Sequence, residues 1–325
     1  MKLTKKLRTA YGILLACLAL GVGAQPYPAK PVRLVIGYAA GGPTDVIGRL
    51  LAQDMAASLG QPVVVENKTG ANGLIGTLEV KKAPGDGYTF LVTTLSHNVN
   101  ALLMADRKPY DPIADFTPVS LVAFLPMVMV TAADSPFHSL QDVIGAAKAR
   151  PGEVSYGSAG NGGSAHLAGA LLATLTDTRM THVPFRGNAP ALTEVMAGRV
   201  SYMFYPMVGI AEQVREKRLK ALAVTTEKRH PDYPGVPTTA EAGLPGFEDY
   251  TQGLGIVGPA GIPAPVVAKV NAAVRASLGK PQTGERLKQL GAIVHPSSPE
   301  EFRKWIGEDA ERWARVIKAA GVKAE

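Results

Sequence analysis

The chain has 325 residues, a formal net charge of +7 and 46% hydrophobic residues. A chain of this length usually forms more than one hydrophobic core, so we expect two lobes. Four positive charges lie in the first eight residues, and the +3 that remains without them is too weak to indicate nucleic-acid binding.

The first 24 residues have the features of a secretory signal peptide. A basic start precedes an apolar run over residues 12–20, which is short for a membrane span, and Val22-Gly23-Ala24 fits a cleavage site before Gln25. The segment also contains Cys17, the only cysteine, but residues 14–17 fit a lipoprotein signal less well. We therefore predict export to the periplasm and a mature chain without thiols, and favour it over lipid anchoring at Cys17.

Strand and helix patterns alternate in the first part of the mature chain. We predict strands over residues 32–36, 62–66 and 88–93, and helices over residues 44–59 and 73–82, the second capped by Asn72. This βαβαβ order predicts a parallel sheet with helices on both faces.

A second unit of the same kind begins after Pro126. Its predicted strands cover residues 127–131, 154–156, 180–183, 200–205 and 222–225, and its predicted helices cover residues 140–149, 164–176, 189–196 and 209–216. A Pro- and Gly-rich stretch over residues 231–245 precedes a strand over residues 253–257 and helices over residues 265–278, 284–290 and 299–320. The predicted fold class is α/β, with two doubly wound lobes and a ligand cleft between them.

A glycine-rich turn between a strand and a helix occurs twice. The first turn follows residues 32–36 and contains Gly41-Gly42-Pro43-Thr44-Asp45, and the second runs from Gly157 to His166. Glycine lets backbone N–H groups converge, and a helix N-terminus adds unpaired donors and positive dipole charge. Each turn is therefore a candidate anion site, and the pair suggests one ligand gripped from two sides.

The enzyme signatures that fit such a sheet are incomplete. Gly37, Gly41 and Gly42 lack the dinucleotide-binding spacing, although Glu66 stands where a ribose-binding acid would be expected. Gly157-Ser158-Ala159-Gly160 lacks one residue of a nucleophile elbow, and the six histidines show no metal-ligand spacing. An exported dinucleotide-binding or hydrolytic enzyme remains the alternative, but we predict no catalytic residues, no metal and no cofactor.

Several separated motifs resemble one family nearly end to end. They are the start at residues 27–35, residues 41–45, Glu66-Asn67-Lys68-Thr69-Gly70-Ala71-Asn72-Gly73, residues 83–89, 110–112 and 115–119, the second turn through Leu167, residues 183–187, 241–247 and 258–263. In this order they resemble the Bug-type solute-binding receptors of tripartite tricarboxylate transporters.

The resemblance implies a type II periplasmic binding protein, with lobe 1 from residues 25–124 and 250–325 and lobe 2 from residues 125–249. The chain would cross between lobes near residues 124–127 and 245–251. The implied partners are a small carboxylate and the membrane components of a tripartite transporter, although some members feed a sensor instead. We expect a monomer.

In this family, the two turns hold a ligand carboxylate through backbone N–H groups and bridging waters, and the segment at Phe185 closes over the ligand. The implied binding residues are Tyr38, Ala39, Ala40, Gly41, Gly42, Thr44, Asp45, Ser96, His97, Asn98, Ser158, Ala159, Gly160, Asn161, Gly162, Ser164, His166, Phe185, Arg186, Gly187 and Tyr205.

Some of these residues have simpler explanations. Thr44 and Ser164 are also good helix caps, and His166 could satisfy a local hydrogen bond. His97 could be an ordinary polar turn residue. Arg186 could grip a distal carboxylate or pair with a surface acid.

One position departs from the family. Many members carry an aspartate where Tyr205 stands, and in the amino-acid-binding members an acid near there is expected to meet an ammonium group. A tyrosine offers a ring and a hydroxyl but no counter-charge. We therefore expect a ligand without an amino group, such as an aromatic or short aliphatic dicarboxylate.

Overall fold

The computed structural model describes residues 26–322 except residues 209, 232, 248 and 249. The predicted signal peptide lies outside the described residues, as does part of the predicted second crossing. None of the helices in the described part is both long enough and apolar enough to cross a membrane.

The described chain contains ten strands and ten α-helices. The strands are β1 (Val32–Ile36), β2 (Val63–Asn67), β3 (Thr89–Thr93), β4 (Phe116–Ala132), β5 (Ser155–Ser158), β6 (Thr181–Pro184), β7 (Met203–Pro206), β8 (Leu219–Val224), β9 (Thr251–Pro259) and β10 (Ile293–Val294). The helices are α1 (Pro43–Leu59), α2 (Leu74–Lys81), α3 (Ser96–Leu103), α4 (Leu140–Ala149), α5 (Ser164–Leu175), α6 (Asn188–Met196), α7 (Ala211–Arg215), α8 (Ala264–Leu278), α9 (Pro281–Gln289) and α10 (Pro299–Ala320).

The strands form a mixed α/β architecture in two parts. In the first, β1 pairs in parallel with β2 and β3, and the sheet continues through antiparallel β9, β4 and β10. In the second, β5 and β6 pair in parallel, and β7 and β8 pair with β4. We call the part built around β1–β3 the first lobe and the part built around β5–β8 the second lobe.

Strand β4 belongs to both parts. Pro126 pairs with Thr251 of β9, whereas Met127, the next residue, pairs with Pro206 of β7. The change of partner falls within residues 124–127, where we predicted the first crossing. The division into lobes at those boundaries remains a prediction.

The hydrophobic core is likewise divided. One cluster of buried side chains includes Ile47 and Phe90 under the first lobe, and a separate one includes Leu167 and Phe204 in the second lobe. Helix α10 reaches both lobes, because Phe302 packs in a first-lobe cluster and Trp313 packs in the second-lobe cluster.

Candidate functional site

Both glycine-rich turns lead into helices that lack a side-chain cap. The residues before α1 and α5 are Gly42 and Gly163, each with extended backbone angles and no capping side chain. The first N–H groups of a helix have no partner within the helix. The suggestion that Thr44 and Ser164 are N-caps is therefore wrong, and both helix starts can offer donors to a ligand.

The first turn is held by a buried carboxylate. Asp45 accepts a hydrogen bond from the N–H of Gly41 at 3.0 Å, from Arg49 at 2.9 Å and from the amide of Asn67 at 2.9 Å. Burial by itself would raise the pKa of Asp45, but these hydrogen bonds outweigh it and hold that pKa below its usual value. Asp45 therefore stabilises the turn from behind and remains charged.

The second turn is held by imidazole and hydroxyl groups. His166 accepts a hydrogen bond from the N–H of Gly162 at 2.9 Å through Nδ1, and its ring stacks on His182 with centroids 3.9 Å apart. Nε2 of His182 lies 2.6 Å from Oγ of Ser158. Burial, and then the proximity of His166, lower the pKa of His182 to about 3. His182 is therefore neutral near pH 7.

The two lobes meet at the turns themselves. A Cβ on Gly163 of the second lobe would lie 3.2 Å from Oδ1 of Asn72 of the first lobe. Gly187 has φ +145°, and a Cβ there would lie 3.1 Å from Cβ of Ala39. Such close approach, and the positive φ at Gly187, favour glycine. The two lobes therefore contact each other at the turns.

Asn72 lies at the centre of this contact. It has a left-handed backbone with φ 51°, its Oδ1 accepts from Tyr38 at 3.1 Å, and its Nδ2 donates to Asn100 at 3.3 Å. The prediction that Asn72 caps a helix is wrong, because it lies inside a 3₁₀ turn before α2. Its side chain instead lines the space between the lobes.

A cavity of about 520 Å³ lies between the lobes, and we call it the main cavity. It is within the size range of small-molecule sites. Its first-lobe lining is Gly37, Tyr38, Gly70, Ala71, Asn72, Gly73, Leu74, Asn100, Leu103, Met104 and Arg107, and its second-lobe lining is Ala159, Gly160, Asn161, Pro184, Phe185 and Arg186.

A second space of about 10 Å³, the inner cavity, lies at the helix starts. Its lining is Tyr38, Thr44, Asn72, Thr94, Ala159, Gly163, Ser164, Asn188 and Gln252. Tyr38, Asn72 and Ala159 line both spaces, so the two are adjacent. The inner cavity has room for about one water-sized group.

One residue of the inner-cavity lining has a polar atom without a partner in the described part of the chain. Oδ1 of Asn188 is buried and has no hydrogen-bond partner among the described residues. A buried polar atom without a partner is costly, so this position calls for a ligand or water.

The structure brings many of the predicted site residues to this place. Tyr38, Thr44, Ala159, Gly160, Asn161, Ser164, Phe185 and Arg186 line the two cavities. Gly41, Asp45, Ser158, Gly162 and His166 make the hydrogen bonds that hold the turns. Ala39 and Gly187 contact each other, Gly42 precedes α1, and Ala40 is exposed beside them.

The segment Ser96–Asn98 differs from the prediction that it forms a wall of the cleft. It begins helix α3, and its side chains turn into the first lobe. His97 bonds the carbonyl of Pro112 at 2.8 Å, and burial lowers its pKa to about 4. Asn98 donates to Asp309 at 2.9 Å, and only Ser96 lies behind the lining, 3.2 Å from Thr94.

Tyr205 also lies away from the cavities. It is buried in β7, within the second-lobe cluster, and burial raises its pKa. It lines neither the main nor the inner cavity. The expectation that Tyr205 meets the far end of a ligand therefore has no support in its position.

Five polar or charged lining residues were missed at the sequence level: Asn72 as a ligand-facing residue, Thr94, Asn100, Arg107 and Asn188. Asn72 lies in a segment already noted as a motif, and Asn188 directly follows Gly187. Both could have been found there. Asn100 and Arg107 carried no local signal, because the tertiary fold alone brings them to the cleft.

Comparison with known proteins identifies a family of binding proteins with the same fold. Residues 47–322 match the model of the family described as "Tripartite tricarboxylate transporter family receptor", TctC. The periplasmic binding protein BugD is 36% identical, with a TM-score of 0.87 over 92% of this chain and 100% of its own. Two Rhodopseudomonas palustris proteins are each 34% identical. MatC with bound malate has a TM-score of 0.85 over 90% of this chain and 100% of its own, and Rpa4515 with adipate has 0.86 over 91% and 99%. This chain therefore belongs to the TctC family of tripartite tricarboxylate transporter receptors.

Proposed function

We propose that this protein is a periplasmic receptor that captures a small dicarboxylate without an amino group and delivers it to a tripartite tricarboxylate transporter. It acts by binding and closure, without turnover. The observation that carries the proposal is a cavity between two lobes whose described lining contains two arginines and no acidic side chain. Two similar proteins of the family hold malate and adipate, which are both dicarboxylates.

The donors for one carboxylate come from the helix starts. Thr44 and Ser164, in the first turns of α1 and α5, line the inner cavity, and the first N–H groups of a helix have no partner within it. Neutral backbone donors and the dipoles of two helices stabilise an anion without a buried counter-charge. Because the inner cavity admits about one water-sized group, we place the ligand carboxylate at its junction with the main cavity.

The lining argues against an ammonium group. Across the described part of the chain, no aspartate or glutamate lines either cavity. Asp45 is close in sequence to Thr44, but its carboxylate bonds Gly41, Arg49 and Asn67 behind the turn. A ligand ammonium would lose its hydration without gaining a carboxylate partner, which is unfavourable. The lack of acidic side chains in the described lining supports a ligand without an amino group, which the sequence analysis expected because of Tyr205.

Closure follows from the position of the ligand between the lobes. The closed state is favoured by as much as the ligand binds it more tightly than the open state. A dicarboxylate that contacts Tyr38 on one lobe and Phe185 on the other has this property, because both line the main cavity.

A thermal-shift screen of the purified mature protein tests the proposal. The panel contains monocarboxylates, dicarboxylates, tricarboxylates, aspartate and glutamate. We expect dicarboxylates to raise the melting temperature in a concentration-dependent way, since a ligand of the native state stabilises it by mass action. Tight binding of aspartate or glutamate with no binding of dicarboxylates would contradict the proposal.

A further inference from the structure

Two arginines from opposite lobes line the main cavity. Arg107 follows helix α3 in the first lobe, and its N–H bonds the carbonyl of Met104 at 2.9 Å. Arg186 follows β6 in the second lobe, directly before Gly187. Both side chains are exposed, whereas Thr44 and Ser164 at the inner cavity are buried. The arginines therefore mark the outer end of the cleft and the helix starts mark its inner end.

The fold does not use either charge. Among the described residues, neither Arg107 nor Arg186 forms an ion pair, in contrast to Arg33 and Arg49, which bind carboxylates at 2.8 and 2.9 Å. The described lining of the main cavity contains these two cations and no anion. The outer end is thus electrostatically suited to a second negative charge.

Apolar side chains lie in the same lining as the two charged ends. Leu74, Leu103 and Met104 come from the first lobe, and Phe185 comes from the second. These side chains accommodate methylene groups or a ring, and the same lining also contains the polar side chains of Tyr38, Asn72, Asn100 and Asn161. The lining therefore combines donors at the inner end, an apolar wall and guanidinium groups at the outer end.

We propose that Arg107 of the first lobe and Arg186 of the second lobe together bind the distal carboxylate of a dicarboxylate with an apolar spacer. This rests on the proposed function and deepens it: it names the residues that bind the second carboxylate, and a class of diacids whose spacer fits the apolar side chains of the lining. Guanidinium groups can bind carboxylates through two parallel hydrogen bonds. Because the two arginines belong to different lobes, the distal carboxylate also links the lobes and favours closure.

Matched diacids and monoacids test the role of the arginines by calorimetric titration. The probes are adipate with hexanoate, succinate with butanoate, and benzene-1,4-dicarboxylate with benzoate. They are titrated into wild type, Arg107→Gln, Arg186→Gln, the double variant, and the control Arg286→Gln on the exposed side of α9. We expect wild type to prefer at least one diacid over its monoacid by about tenfold or more.

Each single variant should lower this preference, and the double variant should bring it close to one while monoacid affinity stays unchanged. Arg286→Gln should retain the preference. Higher salt should reduce the preference in wild type, because the arginines are exposed. A loss of all binding in the variants would instead indicate a structural role and overturn the inference.

The result also separates the inference from the proposed function. If wild type binds diacids and the double variant keeps the same preference, the inference is overturned and carboxylate capture stands. An equal loss of preference in Arg286→Gln would overturn it as well, because overall charge would explain the effect. If no carboxylate of either kind binds wild type, both the inference and the proposed function fail.

Discussion

The first glycine-rich turn is held by the carboxylate of Asp45, whereas the second is held by the rings of His166 and His182 and the hydroxyl of Ser158. More of the second turn faces the cleft, because Ala159, Gly160, Asn161, Gly163 and Ser164 all line a cavity. A carboxylate in that turn would repel an anionic ligand. The first turn can use one because Asp45 points away from the lining.

Replacing the glycine before each helix with valine is the most direct comparison of the two turns. A Cβ on Gly163 would lie 3.0 Å from the carbonyl oxygen of Gly160, whereas a Cβ on Gly42 meets only the carbonyl oxygen of Ala39 at 3.5 Å. We expect Gly163→Val to weaken dicarboxylate binding roughly 10- to 100-fold, because backbone must move to admit it. Gly42→Val should have a clearly smaller effect.

Isothermal titration with the dicarboxylate that stabilises wild type most measures both variants. Circular dichroism checks that each is folded. Equal losses of affinity in the two variants would contradict the expectation that the second turn has less room for a side chain than the first.

A negative charge beside the second turn tests whether that side receives an anion. Asn188→Asp places a carboxylate at the inner cavity with little change in volume. We expect about tenfold weaker dicarboxylate binding from charge repulsion, with a smaller effect on a neutral ester of the same acid. Gln282→Glu, an exposed site with the same change of charge, is the control. Unchanged affinity in Asn188→Asp would place the carboxylate elsewhere.

Removing the charge behind the first turn should affect stability more than specificity. Asp45→Asn weakens the hydrogen bonds from Gly41 and Arg49, so we expect a loss of roughly 1–2 kcal/mol in the free energy of unfolding. Urea denaturation measures it, with exposed Asp134→Asn as the matched control. A change in ligand affinity without a change in stability would show that Asp45 faces the ligand instead.

The two turns should also respond differently to pH. His182 has its pKa lowered to about 3, against about 6.5 when unfolded, so its contribution is complete above pH 6.5 and declines as the pH falls toward 3. Asp45 also has a lowered pKa, and its contribution is lost only as the pH falls below the usual aspartate range. Between pH 7 and pH 5, only the second turn should therefore lose stability.

Unfolding free energies at pH 7 and pH 5 test this difference. We expect wild type to lose about 2 kcal/mol more than His182→Gln over this interval. The exposed His138→Gln variant should behave as wild type. The same loss in wild type and in His182→Gln would assign the pH dependence to another group, such as the buried His97.

Local patterns predicted many elements well. Helix α4 and helix α10 have the predicted bounds, because an apolar stripe and, in α10, a Ser298–Glu301 capping box are local features. Strand β4 was predicted only over residues 127–131, but it covers Phe116–Ala132. The second unit was predicted to begin after Pro126, yet the strand continues through Pro118 and Pro126 and changes partners at the second.

The candidate site shows the same limit. The turns were found because glycine spacing and helix starts are visible along the chain. Helix α3 was not predicted, so His97 and Asn98 were placed in the cleft when their contacts lie within the first lobe. Arg107, in the turn that follows the same helix, was overlooked although it lines the main cavity.

The amino-acid sequence by itself determined the two α/β units, the paired glycine turns and the family, because each depends on residues close together along the chain. Only the tertiary structure decided which side chains share the cleft. Asn72 meets Gly163, and Arg107 and Arg186 line one cavity, through contacts between residues far apart in sequence. Tyr205 was predicted to face the ligand but packs in the core of the second lobe. The direction of a strand side chain depends on the sheet that the strand joins, which the sequence alone did not determine.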